Sequence, residues 1–317
     1  MNNDKHRVDL LLTQPVPDAI DAVLVRDYHI HRLYQAADAN AFLDEFGPRI
    51  RGVVTGGAKG LSNAVMDRLP QLEIIAISGI GTDAVDLAHA AARGVHVTTT
   101  PGVLTDDVAD MALGLIISTL RGLGEGDRLV REGRWGHTVQ PLARKVSGIN
   151  LGIVGLGRVG HAVARRAKAF DMHIAYSDHN EQPASGYRFI ADLKELARAV
   201  DVLVLAASAD DGKAIITAEV LDALGADGYL INVARGKLVD EDALVRALLE
   251  GRIAGAGLDV FVDEPNVPPA LFDLPQVTLQ PHRASATVQT RLEMGQIVLR
   301  NLEACFRGEL PPQRVAA

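Results

Sequence analysis

Short apolar runs alternate with helix-length amphipathic segments along this chain, and that alternation leaves few folds open. "VDLLLT" (8–13), "IRGVVT" (50–55), "LEIIAIS" (72–78) and "VHVTT" (95–99) read as buried strands, with helical spacing over 38–46, 61–69 and 84–92. A second series follows: "INLGIVG" from 149, "MHIAYS" (172–177), "VDVLVLAA" (200–207), "GYLINVA" (228–234), "IAGAGLDVF" (253–261) and "QVTLQ" (276–280). Helical stretches near 158–170, 192–199, 217–224 and 240–250 separate them. Such alternation implies βαβ crossovers and parallel sheets covered on both faces. The fold class expected is α/β, with two doubly wound parallel-sheet domains. The length of 317 residues, about twice a typical domain, agrees with two units. The joint is expected at 105–125, where Thr105 and two acidic residues open a helix that is apolar on more than one side. The segment 287–307 is also helical and is expected to return to the first domain.

Composition narrows the function classes. Hydrophobic residues are 48% and charged residues 23%, values of a globular protein with real cores. A net charge of −8 offers no broad basic face to nucleic acid or to an anionic membrane, so neither is expected as a partner. The single cysteine, Cys305, excludes a disulfide framework and a Cys-rich metal site, and no metal is expected. The apolar run near the N-terminus is too short for a signal peptide, and no segment approaches the roughly 20 apolar residues of a membrane span. A cytoplasmic location is expected.

"GIVGLGRVG" (152–160) places Gly155, Gly157 and Gly160 in G-x-G-x-x-G spacing, after an apolar strand and at the opening of a helix. In that context Gly155 permits the tight turn, Gly157 lets backbone approach a pyrophosphate, and Gly160 lets helix and strand pack closely. The helix start offers N–H groups and a positive dipole end to phosphate. Asp178, at the end of the next strand, can hold the adenosine ribose.

Three charged residues in the second series fall at strand ends, the edge where open α/β sheets bind ligands. Arg235 lies near the end of "INVARG" (231–236), Glu264 within "LDVFVDEP" (258–265), and His282 follows "VTLQP". Each alone is ordinary: a surface ion pair, a solvated carboxylate, a structural histidine. Beside a dinucleotide site they make a set. An arginine fork matches a carboxylate, a histidine gives a proton to a carbonyl oxygen, and a carboxylate on its other ring nitrogen keeps it charged and oriented.

"GLGRVG", "INVARGKLVDEDAL", "GAGLDVFVDEP" and "PHRASATVQTR" together resemble the D-isomer-specific 2-hydroxyacid dehydrogenase family. "TPGVLTDDVADMALGL" (100–115) resembles its glyoxylate/hydroxypyruvate reductase branch, and the likeness runs from about residue 50 to 307. The resemblance implies that Arg235 anchors the substrate carboxylate, Glu264 pairs with the histidine, and His282 is the acid–base group. It implies a discontinuous substrate-binding domain (1–100 and 287–317), a Rossmann NAD(P)-binding domain (101–286) and a homodimer. Cofactor contacts are expected at Gly155, Gly157, Arg158, Val159, Gly160, Ser177, Asp178, His179, Ser208, Val233, Asp259 and Ala284. Substrate contacts are expected at Gly56, Gly57, Ala58, Ile80 and Gly81, besides Arg235 and His282. Consecutive glycines in "TGGAKG" (55–60) can expose N–H groups as an anion nest.

The chain departs from the family pattern in places. Arg283 stands where members often carry an aliphatic residue, and "ASADDGK" (207–213) replaces a usual Pro-containing loop. "IAYSDHN" (174–180) puts Asp178 and His179 where NADP-using relatives of the branch place a small residue and an arginine, so the residues lean to NAD while the branch leans to NADP. The activity expected is NAD(P)H-dependent reduction of a small 2-oxo acid, glyoxylate or hydroxypyruvate first. The alternatives are a dinucleotide-sensing, corepressor-like binding protein on the same fold, which would bring interaction tails, and phosphoglycerate dehydrogenase, which usually brings a C-terminal regulatory domain.

Overall fold

The computed structural model describes residues 7–208 and 212–315. The chain divides into two units: Met1–Leu104 with Thr287–Ala317, and Thr105–Ala286. In the first, β1 (Asp9–Leu12), α1 (Asp18–Asp27), β2 (His29–Arg32), α2 (Ala39–Phe46), β3 (Ile50–Gly56), α3 (Asn63–Met66), β4 (Ile74–Ser78), α4 (Leu87–Ala92) and β5 (His96–Thr98) follow in order. The five strands form one parallel sheet in the order β2-β1-β3-β4-β5. The order reverses between β1 and β3, so this sheet has its own switch point at its carboxyl edge.

The second unit begins with α5 (Thr105–Arg121) and α6 (Leu123–Arg131). It continues through β6 (Asn150–Val154), α7 (Arg158–Ala167), β7 (His173–Ser177), β8 (Arg188–Phe189), α8 (Leu193–Arg198), β9 (Val202–Leu205), α9 (Ala218–Leu224), β10 (Tyr229–Asn232), α10 (Glu241–Leu249), β11 (Gly255–Leu258) and β12 (Val277–Leu279). These strands make a seven-stranded parallel sheet, β12-β11-β10-β9-β6-β7-β8, a doubly wound order with its switch point between β6 and β9. Central strands such as β9 (VLVL) are buried at every position, as a sheet covered on both faces requires. Last comes α11 (Val288–Phe306), capped by the Thr287 side chain on Thr290 N–H, which belongs to the first unit. It packs Val298, Leu302 and Cys305 on Leu10, Leu12, Val54, Ile74 and Ala76, the face of the first sheet that α1 also covers.

Segment 105–125 is not one helix. Gly122 at φ 60 reverses the backbone after Arg121, and α6 starts anew. The broad apolar surface of α5 is satisfied within its own unit, against α7 and the strands β10 to β12. Arg165 and Arg166 on α7 pair with Asp106 and Asp110 on α5 at 2.5–3.0 Å, closing the rim of that helix pair. No helix among the described residues is long and apolar enough to cross a membrane.

Candidate active site

The seven-stranded sheet presents its glycine turn first. Gly155, at φ +89, follows β6 directly, and a Cβ there would stand 2.6 Å from the Ala207 Cα. A Cβ on Gly160 would meet the Gly155 carbonyl, so helix and turn touch backbone to backbone. Gly157 is different: a Cβ there meets nothing within 4 Å. It opens α7 with no side-chain cap, so the first-turn N–H groups have no capping side chain to donate to. Those donors and the helix dipole suit a pyrophosphate, and the residues present fit a dinucleotide.

At the end of β7, Asp178 Oδ2 accepts from Leu156 N–H at 2.8 Å and Oδ1 from His179 N–H at 2.7 Å. The carboxylate is thereby tied to the glycine turn, with His179 exposed beside it. The Ser177 hydroxyl is buried and donates to the Ala191 carbonyl at 3.1 Å, just beyond β8. Arg158 is exposed on the first turn of α7, and Val159 is half-buried beside it. Val233 and Ala284 are buried apolar residues just beyond β10 and β12. Ser208 is described, whereas residues 209–211 of the 207–213 loop lie outside the described residues.

The ionisable groups gather at the same carboxyl edge. Arg235 follows β10, where the buried Asn232 staples the turn: its Nδ2 donates to the Arg235 carbonyl at 2.9 Å and its Oδ1 accepts from Ala234 N–H at 3.0 Å. Gly236 lets this turn lie flat on the Phe261 backbone, where any Cβ would collide. Beyond β11, Glu264 Oε1 accepts from Phe261 N–H at 3.0 Å, and Oε2 meets His282 Nδ1 at 2.6 Å. Burial pushes the Glu264 carboxyl up. The hydrogen bonds from His282 and Phe261, and the charges of His282 and Arg235, outweigh burial and hold it below the usual range.

Asp259 sets the position of His282. Its carbonyl accepts from His282 N–H at 2.8 Å, and its carboxylate oxygens accept from Arg283 N–H at 2.9 Å and Ala284 N–H at 3.0 Å. Only 1% of Asp259 is exposed, and burial raises its carboxyl pKa against those N–H groups and the His282 charge. Held this way, His282 has φ 48, a left-handed conformation that costs energy in a non-glycine residue. Nδ1 is taken by Glu264, so Nε2 is the ring nitrogen that this pair leaves over.

In the first unit the carboxyl edge carries hydroxyls and glycines. Thr13 Oγ1 donates to Thr55 Oγ1 at 2.7 Å, which donates to the Gly60 carbonyl at 2.7 Å, closing the turn after β3. The loop after β4 lies against it: a Cβ on Gly57 would stand 3.1 Å from the Gly81 carbonyl, and one on Gly79 3.3 Å from Gly57 N. Gly56 is filled over by the Gln14 side chain, Ala58 is exposed, and Ile80 is 41% exposed. Among the described residues, the N–H groups of Gly57 and Ala58 meet no acceptor, as an anion nest requires.

Sequence reasoning passed over Arg291. It sits half-buried in the first turn of α11, at the end of the helix opposite Phe306, whose ring carries the Arg51 guanidinium at 5.4 Å near the start of β3. That places Arg291 at the carboxyl edge of the first sheet. Burial alone lowers its pKa, and no ion pair among the described residues compensates. The signal was present: Arg291 precedes the buried Met294 and Val298 at three- and seven-residue spacing, on the apolar face. No cluster of three or more metal-ligating side chains occurs among the described residues.

A doubly wound domain with a glycine-turn helix, beside a carboxylate–histidine pair and an arginine, defines a dinucleotide-dependent oxidoreductase. Residues 113–284 match the D-isomer specific 2-hydroxyacid dehydrogenase, NAD binding domain family. The chain is 44% identical over 299 residues to 2-ketogluconate reductase of Gluconobacter oxydans, covering 94% of this chain and 95% of that protein. It is 44% identical to hydroxyphenylpyruvate reductase of Plectranthus scutellarioides, covering 95% and 97%. A solved structure of the NADPH-dependent glyoxylate/hydroxypyruvate reductase of Sinorhizobium meliloti, in complex with NADP and malonate, superposes with a TM-score of 0.90 at 41% identity, covering 98% of this chain and 97% of that one. The chain belongs to the D-isomer specific 2-hydroxyacid dehydrogenase family, in its reductase branch.

Proposed function

We propose that this protein reduces small 2-oxo acids, glyoxylate and hydroxypyruvate among them, to 2-hydroxy acids with NAD(P)H. The observation that carries the reading is the 2.6 Å Glu264–His282 pair, with the Arg235 charge acting on Glu264, at the sheet edge that Gly157 opens to a dinucleotide. When bound, the dinucleotide supplies hydride to the carbonyl carbon. His282 gives the proton on Nε2 to the carbonyl oxygen, which would otherwise become an alkoxide. Glu264, ionised, stabilises the protonated ring and fixes its plane through Nδ1. The Arg235 fork takes the substrate carboxylate. In the first unit, the donors of Gly57 and Ala58, with Ile80 and Gly81, serve as further substrate contacts, and Arg291 adds a charge that seeks an anion.

The cofactor preferred is NADH. Support comes from Asp178, an acidic side chain at the strand end where the adenosine ribose of a dinucleotide lies; it accepts from a free 2′-hydroxyl and disfavours a 2′-phosphate. The assembly is a homodimer, supported by apolar side chains presented to solvent around α6, with Trp135 76%, Val139 96% and Leu142 100% exposed. Light scattering of the purified protein reads its mass directly.

The test of function is a panel of 2-oxo acids with each reduced cofactor, following loss of nicotinamide absorbance. Turnover of glyoxylate or hydroxypyruvate is expected. A protein that binds dinucleotide yet reduces none of the panel overturns the reading.

A further inference from the structure

The loop after β7 makes a latch that the reaction does not use. Gln182 folds back so that Nε2 donates to the Leu156 carbonyl at 3.2 Å and approaches Asp178 Oδ2 at 3.3 Å. Its Oε1 meets His161 Nε2 on α7 at 3.1 Å, and its backbone N–H donates to the buried Tyr176 hydroxyl at 2.6 Å. The amide orientation is set by its partners: a flipped group would aim Oε1 at a carbonyl and a carboxylate. One side chain thus joins the glycine turn, the strand-end carboxylate and the helix that faces the phosphates.

We propose that Gln182 is a positioning residue for cofactor choice, holding Asp178 against the glycine turn so that the site accepts a dinucleotide with a free ribose 2′-hydroxyl and rejects one with a 2′-phosphate. The proposal rests on the NADH reading above. Asp178 has two rotatable side-chain bonds; Leu156 N–H holds Oδ2 from the turn, while Oδ1 is held by His179 N–H, which belongs to the 179–182 loop itself. Gln182 supplies a second donor to Oδ2 and ties down the Leu156 peptide on its carbonyl side. Without it the carboxylate can swing from the ribose position, and the 179–182 loop can lift to make room for a phosphate.

The experiment measures NADH and NADPH binding to the whole protein by titration calorimetry, and hydrogen exchange at Leu156 without cofactor, in wild type, Gln182→Met and Gln182→Glu. Methionine keeps the length and loses the amide, and glutamate sets a like charge against Asp178. Wild type is expected to bind NADH at least tenfold more tightly than NADPH. Gln182→Met should narrow that ratio at least threefold and speed Leu156 exchange about tenfold, and Gln182→Glu should do more of both. Wild type that binds NADPH as tightly as NADH sinks the NADH reading beneath the proposal. A wild-type preference for NADH that both variants leave unchanged overturns the latch alone.

Discussion

The two glycine turns of this protein occupy equivalent places and are built for different work. Each follows a central strand at the switch point of a parallel doubly wound sheet. The turn at 155–160 opens a ten-residue helix, and its middle glycine faces empty space. The turn at 56–60 opens no such helix; α3 has four residues, and Gly56 and Gly57 are pressed against Gln14 and the Gly81 carbonyl. The first can present a row of N–H groups and a dipole to a diphosphate. The second can offer a few donors to something small. The same division runs along the two edges: ionisable groups positioned by Asp259 and Asn232 on one, hydroxyls and backbone donors on the other. Changes to the first edge should therefore strike kcat or cofactor binding, and changes to the second should strike KM.

The sharpest break of that division is His282→Ala, which should lower kcat for 2-oxo acid reduction by roughly two to four orders of magnitude. NADH affinity should stay within about twofold, because the phosphate donors are on α7. An equal loss of cofactor binding would show that the histidine loop supports the whole edge and not the chemistry. Arg235→Lys comes next, with kcat/KM for the acid down about one to two orders of magnitude, since ammonium keeps the charge but lacks the fork. Wild-type kinetics in that variant would make Arg235 structural. Gly157→Val separates folding from binding. The added side chain enters open space, so stability should hold while the NADH dissociation constant rises about tenfold or more. Unchanged NADH binding would detach the open helix start from the cofactor.

The βα alternation was legible because central strands of a doubly covered sheet are apolar throughout, as in β9 and β10. β2 was not, because an edge strand needs no such run. Its HIHR reads as loop until His31 is seen on Asp9 at 2.6 Å and Arg32 on Asp21 at 2.8 Å. At the site, Arg235, Glu264 and His282 could be found as strand-end residues, since topology alone sends them to one edge. The direction of a hydroxyl could not. Ser177 follows the Ala191 carbonyl, 14 residues on, and Gln182 finds partners 21 and 26 residues back. Those pairings depend on how distant turns meet, which no local spacing encodes.

Arg291 tests the substrate side of the comparison. Removing an uncompensated half-buried charge relieves desolvation, so Arg291→Met should stabilise the protein by about 1 kcal/mol while raising KM for the acid several-fold. Thermal unfolding and steady-state kinetics on one preparation read both. A destabilised variant with unaltered KM would make the guanidinium a packing element.

The smallest expected effect is a shift in a pH profile, and it isolates the role of Glu264. The carboxyl is held below its ordinary range because the His282 and Phe261 hydrogen bonds and nearby positive charge outweigh burial. A depressed carboxylate pKa contributes stability that is fully present above the unfolded value and is lost as pH falls through the folded value. At neutral pH Glu264 is therefore ionised, and its charge favours the protonated imidazole that must donate from Nε2. Reduction should weaken as pH rises and the ring loses its proton. Glu264→Gln keeps an acceptor oxygen for Nδ1–H but removes the charge, so the fall should move to lower pH. Oxidation of the 2-hydroxy acid needs the neutral ring, so its rise with pH should move the same way. If both limbs stayed where wild type has them, the 2.6 Å contact would orient His282 without tuning it.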